Sequence, residues 1–192
     1  MPAYRIVTVP LLIFCLAPDS LAQQKYPTDY FDPPVNIPIY LSGNFGELRS
    51  NHFHSGIDIK TQGVTGHKVY ASAEGYISRI KVEAAGYGNS LYITHPAGYT
   101  TVYGHLDRFR KDIADYVKDL QYEKQQYTMN IYPEKGKWHI QKGEFIAFSG
   151  TSGYSFGPHL HFEIWREGSP IDPQSMIFSY RRMDVSVSNV GG

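Results

Sequence analysis

Between residues 56 and 104, apolar side chains recur at alternate positions in short runs broken by glycine, as in "KVYASAEGYISRIKV" and "NSLYITHPAGYTTVYGHL". Alternation with a period of two marks half-buried strands, and the turn-forming Glu74-Gly75 and Pro96-Ala97-Gly98 predict hairpins. From 109 to 127 the spacing changes: Phe109, Ile113, Tyr116, Val117 and Leu120 recur three and four residues apart, which predicts one amphipathic helix. Strand-like runs resume at "EFIAFSG" and "LHFEIW", joined by the glycine- and serine-rich "GTSGYSFGP". The pattern predicts a mainly β fold, a small antiparallel β-domain with one inserted α-helix.

The two ends depart from this pattern. Residues 1–22 carry one early cation, Arg5, then an apolar run over 6–17, then Ser20, Leu21 and Ala22 in a small-x-small arrangement, as in a secretory signal cleaved after Ala22. The run is too short to span a bilayer as an ordinary helix, and no later stretch is a better candidate. A proline-rich, aperiodic lead-in follows at 23–37, then a domain at 38–175 with its helical insertion at about 107–141, and a tail at 176–192.

Composition narrows the chemistry. With 192 residues and 42% hydrophobic content, the chain has material for one core. Cys15, the only cysteine, lies inside the signal segment, so the mature chain has no thiolate for a metal or a nucleophile. Any metal must therefore sit on histidine and carboxylate. Lysine plus arginine number 18 and aspartate plus glutamate 18, and removing Arg5 and Asp19 leaves 17 of each. No long-range field of either sign favours nucleic acid or an anionic membrane.

Strand parity then sorts the histidines, since alternate side chains face opposite sides. In "HLHFEIW", Leu160, Phe162 and Ile164 take one face, leaving His159, His161, Glu163 and Trp165 on the other. In "YTTVYGHL", Val102 and Leu106 take one face, and Thr101, Tyr103 and His105 the other. In "HFHSGIDIKTQG", Ile57 and Ile59 oppose His54, Gly56 and Asp58. Three strands thus present histidine or aspartate away from their aliphatic residues.

Along an extended strand His54 and Asp58 would be roughly 13 Å apart, whereas an imidazole and a carboxylate on one zinc ion have Cβ atoms separated by only about 9 Å. The segment must bend, and Gly56 permits it. His52 starts roughly 20 Å from Asp58, which makes His54 the better partner. Two nitrogen ligands and one carboxylate leave a tetrahedral zinc with an open position, as in hydrolytic sites, where bound water drops to a pKa of about 7. Further histidines beside it can move protons or stabilise an oxyanion. Parity leaves His159 and His161 as alternatives for the second nitrogen.

Taken in order, "HFHSGID", "TVYGHL" and "GTSGYSFGPHLHFEI" resemble the lysostaphin-type zinc metallopeptidases, the LytM-like and β-lytic group, with signatures H-x-G-x-D, a strand-end histidine and G-P-H-L-H-F-E. The resemblance covers about residues 40–173 apart from the insertion. It implies a fold of the duplicated hybrid motif type with a groove across the sheet. It implies one zinc per chain on His54, Asp58 and His161, with His105 and His159 as the catalytic pair. The implied substrate is peptidoglycan peptide, stem or cross-link, hydrolysed by an endopeptidase in the periplasm or cell envelope. A cross-link between D-alanine and a diamino acid is the bond expected of a periplasmic member, whereas lysostaphin itself favours glycyl bonds.

A rival expectation is a zinc-bound, non-hydrolytic module that binds cell wall or regulates an amidase. The intact His105 and His159 weigh against it. Asn44 and Arg49 are candidates to line the groove; His67, His95 and His139 read as surface or packing residues. The insertion leaves the chain two residues after His105, so it is expected either as a wall or lid of the groove or as a remote structural addition.

Overall fold

A computed structural model describes residues 29–177; the expected signal, the first part of the lead-in and most of the tail lie outside the described residues. Eleven strands pair antiparallel: β1 (Leu41–Gly43), β2 (Ile57–Lys60), β3 (Lys68–Tyr70), β4 (Gly75–Val82), β5 (Asn89–Thr94), β6 (Tyr99–Phe109), β7 (Met129–Ile131), β8 (His139–Ile140), β9 (Phe145–Ser149), β10 (His159–Arg166) and β11 (Ser169–Ile171). The main path runs β1-β2-β10-β6-β5-β4-β7, while β9 joins β6 to β3, β8 adds to β4 and β11 to β10. Helix α1 is Lys111–Lys124, and a short α2 covers Pro173–Ile177. Among the described residues no helix is long and apolar enough to cross a membrane.

One face of the sheet is core. Ile57 and Ile59 from β2 and Leu160, Phe162 and Ile164 from β10 are fully buried, as their alternation predicts. Each such side chain contributes about 1.5–3 kcal/mol by leaving water. The other face carries the polar partners of the same strands. Pro96–Gly98 forms the expected connection between the paired β5 and β6. Glu74-Gly75 does not close a hairpin, because β3 pairs with β9 and β4 pairs with β5, β7 and β8. The turn signal marks a bend in the chain, and the backbone just before it is held elsewhere: Ala71 N–H donates to Glu144 O and Asp32 N–H to Ser72 O.

Parity in β6 is corrected by the structure. Tyr103 lies on the core face, fully buried with its ring 5.3 Å from that of Phe162. Its hydroxyl accepts hydrogen bonds from Ser72 N–H and Thr101 Oγ1. Val102 instead stands opposite Glu163, on the polar face. The alternation breaks at His105, whose φ of 55° is left-handed. That irregularity lets Tyr103 and Leu106 both enter the core while His105 turns outward.

The expected helix is present, with Ile113 and Val117 buried. Its insertion extends the sheet at the far edge, since β7 and β8 pair with β4. Trp138 ties strand and helix together, its Nε1–H donating to Asp112 and its ring meeting Tyr116. The lead-in is more than an extended tether: Phe31 and Val35 are buried, and Val35 bridges to Val69. At the other end the core continues into Met176 and Ile177, just past residue 175.

Candidate metal centre and its cleft

The site forms where β10 lies between β2 and β6. Register places His161 opposite Asp58 on one side and opposite Gly104 on the other, while His159 stands opposite Lys60. His54 arrives from the segment before β2, where the chain bends at Gly56 as expected. A Cβ on Gly56 would sit 2.3 Å from the Phe162 carbonyl oxygen, so the bend also needs a residue without a side chain.

Three ligand atoms converge. His54 Nε2 is 3.1 Å from His161 Nδ1, and Asp58 Oδ1 is 3.2 Å from the first and 2.9 Å from the second. All three residues are buried, and this is the grouping of His, Cys, Asp or Glu among the described residues that could hold a metal ion. The outer nitrogens define the tautomers: His54 Nδ1–H donates to Asn44 O at 2.8 Å and His161 Nε2–H to Glu163 Oε1 at 2.8 Å. With both rings neutral, the inward nitrogens then present lone pairs toward a carboxylate oxygen. Three acceptors facing one point repel unless a cation lies among them, so the donor set fits a divalent metal.

Charge around the cluster points the same way. Burial opposes the Asp58 carboxylate, yet hydrogen bonds and charge from His161 and His54 outweigh it and hold its pKa well below the usual range. Burial likewise disfavours a charged His161, but Asp58 and Glu163 overcome it and raise its pKa to about 9. An imidazole flanked by two carboxylates is a place that stabilises positive charge, whether proton or metal ion. The second oxygen of Asp58 accepts from Arg49 Nη2 at 2.8 Å, which fixes the carboxylate's rotation. That contact runs over Gly43, where a Cβ would lie 2.3 Å from both Arg49 Nη2 and Asp58 Oδ2.

His105 and His159 flank the cluster, with ring centroids 4.7 Å apart. His105 Nδ1–H donates to Ser152 O at 2.8 Å and His159 Nδ1–H to Gly157 O at 2.9 Å. Each therefore presents Nε2 with a free lone pair, and His159 Nε2 lies 3.5 Å from Asp58 Oδ1. Burial, aided by the neighbouring histidines and opposed by the Ser152 carbonyl, lowers the His105 pKa to about 4. It is a neutral base at neutral pH.

The five residues named from the sequence thus come together on the floor of a cleft of about 1020 Å³. Arg49 lines it, whereas Asn44 contributes its carbonyl to His54. His52 lines the cleft but is exposed and hydrogen-bonded to Asn51, outside the ligand cluster. His95 is buried between Glu74 O and Thr101 Oγ1, a packing residue as expected. Tyr154 and Phe156 stand exposed at the rim. Nothing from 107–141 lines the cleft, so the insertion is a structural addition to the sheet and not a lid in this conformation. Sequence reasoning did not single out Glu163 or Tyr87 as site residues. Glu163 was visible by parity, two positions from His161; Tyr87 lies between β4 and β5, outside any periodic run.

What fold and cluster define is an antiparallel β-sheet protein with a metal-competent His/Asp/His centre in an open cleft. The model for Peptidase family M23 matches residues 52–122 and 126–173, and the chain belongs to that family. It is 33% identical over 129 residues to the DD-carboxypeptidase/endopeptidase Mpg of Neisseria meningitidis, covering 67% of this chain and 24% of that protein. The chain thus spans about a quarter of the length of such curated relatives. A zinc-containing peptidase from Vibrio cholerae superposes with a TM-score of 0.56 at 25% identity, over 74% of this chain and 38% of that one. The catalytic domain of lysostaphin from Staphylococcus simulans shares the fold, with a TM-score of 0.52 at 21% identity over 71% and 90% of the two chains.

Proposed function

We propose that the chain is a zinc metalloendopeptidase acting on peptidoglycan stem peptides or cross-links, with one zinc ion on His54, Asp58 and His161 and with His105 and His159 as catalytic residues. The observation that carries this reading is the convergence of three buried ligand atoms within 4.8 Å of one another at the floor of the cleft. The expected signal at 1–22 would deliver the protein to the periplasm or cell envelope, where its substrate is found. The name of the peptidoglycan DD-endopeptidase ShyB of Vibrio cholerae, 30% identical over 119 residues, supports the same substrate class, and that of the DD-carboxypeptidase/endopeptidase Mpg supports a peptidase.

Bound zinc supplies Lewis acidity, which activates water and polarises the scissile carbonyl. The protein's own residues handle the protons. Backbone carbonyls hold the Nδ1–H of His105 and His159, so each Nε2 is available toward the substrate. One takes a proton from the attacking water as the new C–O bond forms, and a proton returns to the leaving amine as the C–N bond breaks. The other, carrying a proton taken up from solvent, donates a hydrogen bond to the developing oxyanion. Arg49 keeps the Asp58 carboxylate oriented throughout.

The test is digestion of purified muropeptides by the zinc-loaded mature chain, read by mass spectrometry with metal analysis. The expected result is one zinc per chain, cleaved peptide products, and loss of cleavage in folded His105→Ala and His159→Ala. Zinc-loaded wild type that binds muropeptides but releases no product would instead establish a non-hydrolytic module.

A further inference from the structure

Glu163 lies two residues beyond His161 on the polar face of β10, and its side chain is almost wholly buried. Four donors converge on it. Oε1 accepts from His161 Nε2–H at 2.8 Å, from the Tyr87 hydroxyl at 2.5 Å and from the Ser55 hydroxyl. Oε2 accepts from Trp165 Nε1–H at 2.6 Å. A buried carboxylate persists as an anion only when its lone pairs are matched in this way. The Tyr87 ring also stacks on the His161 imidazole at 4.7 Å, with the planes 26° apart. His161 is therefore gripped at its outer edge by a carboxylate and across its face by an aromatic ring.

His161 has a competing arrangement. Its Nδ1 lies 2.9 Å from Asp58 Oδ1, so a proton on Nδ1 would bond these two atoms to each other and occupy both as hydrogen-bond partners. The ring carries one proton when neutral, and the acceptor that holds it decides which nitrogen faces inward. For His54 the same Asp58 Oδ1 lies 3.2 Å from the inward Nε2, farther than the Asn44 carbonyl at 2.8 Å from Nδ1, and the carbonyl suffices. For His161 the carboxylate is closer, 2.9 Å from the inward Nδ1, and another anion competes evenly with it.

We propose that Glu163, braced by Tyr87, Ser55 and Trp165, is a positioning residue that holds the proton of His161 on Nε2 and so delivers Nδ1 to the metal. This rests on the reading of His54, Asp58 and His161 as zinc ligands. It assigns the second layer of the centre to a segment between β4 and β5 as well as to β10, since Tyr87 comes from the former.

The experiment compares wild type, Glu163→Gln and Tyr87→Phe, the last keeping the stacked ring while removing its hydroxyl. Zinc affinity is measured by competition with a chromophoric chelator. Nitrogen-15 NMR of the His161 imidazole in metal-free protein, recorded at a pH above its pKa of about 9 where the ring is neutral, reads the tautomer directly, and circular dichroism checks the fold. Glu163→Gln is expected to bind zinc about 10- to 100-fold more weakly, with the Nδ1–H form rising in the metal-free spectrum, and Tyr87→Phe to move both readings less far in the same direction. Wild-type affinity and an unchanged tautomer in Glu163→Gln would overturn the proposal. If Glu163→Gln fails to fold, Tyr87→Phe carries the test alone, and wild-type values there would also overturn it. Wild type that takes up no zinc would sink the metal-centre reading itself, while the tautomer spectra would still decide the role of Glu163.

Discussion

Replacing His105 by glycine and by alanine separates what the fold wants at that position from what the site wants. His105 holds a φ of 55°, a conformation that disfavours any residue with a Cβ by roughly 1–2 kcal/mol. Both variants lose the same things: the buried ring and its hydrogen bond to Ser152 O, the bond contributing about 1 kcal/mol. They differ in that glycine removes the backbone strain and alanine keeps it. Glycine has a more disordered unfolded chain, which offsets about 0.4–1 kcal/mol of that relief. His105→Gly should therefore be more stable than His105→Ala by roughly 0.5–1 kcal/mol, or about 1–4 °C in Tm for a chain of this size. The assay is urea denaturation followed by circular dichroism, supported by thermal melts, on both variants in parallel. Activity should fall by about 10²–10⁴ in each, because neither can act as a base. Alanine equal to or more stable than glycine would refute the argument that His105 is strained for the sake of the cleft.

Burial, opposed by the bond to Glu74 O, lowers the pKa of His95 from its ordinary 6.5. As pH drops below 6.5 the unfolded chain takes up a proton that the folded chain resists, so stability is lost on acidification; the stability advantage of wild type over His95→Gln in urea melts should shrink between about pH 7 and pH 5. Ile113, fully buried on α1, should cost about 2–5 kcal/mol when cut to alanine, while turnover per folded molecule stays at the wild-type level because α1 adds nothing to the cleft. Stripping the metal with a chelator should lower Tm in differential scanning fluorimetry, by an amount equivalent to about 4 kcal/mol if the ion had been present at a thousand times its Kd, and restored zinc should recover it. An unmoved melting curve would argue against metal at His54, Asp58 and His161.

Period-two alternation in "HLHFEIW" located β10 and both of its faces correctly, because an uninterrupted strand between two partners has no freedom to depart from parity. The same rule failed in β6. There a single left-handed residue shifts the phase, and an imidazole is not a side chain that advertises positive φ as glycine does. His54 and Asp58 were paired by reach along the chain, but the contact of Asp58 with Arg49 runs over Gly43, paired beside Asp58 from β1, a tertiary relation with no local signature. The helix was legible from Ile113 and Val117, whereas its distance from the cleft was not: chain proximity to His105 suggested a lid, and pairing of β7 and β8 with β4 took the insertion to the opposite edge. The buried Phe31 escaped notice because a strap that crosses a sheet edge has no period to read.

That strap bears on how the domain can be moved between proteins. Phe31 packs its ring against Tyr30, His95 and Tyr99, and Asp32 bonds to the chain at Ser72, so the segment closes the core beneath the β5–β6 turn. The family match begins only at residue 52, after the strap, after Gly43 and after Arg49. A chimera that grafts residues 52–173 alone would carry all five histidines and aspartates of the centre, yet leave that core uncovered and Asp58 without its guanidinium. The smallest portable unit is set by what seals and aligns the centre, and so it starts upstream of Tyr30.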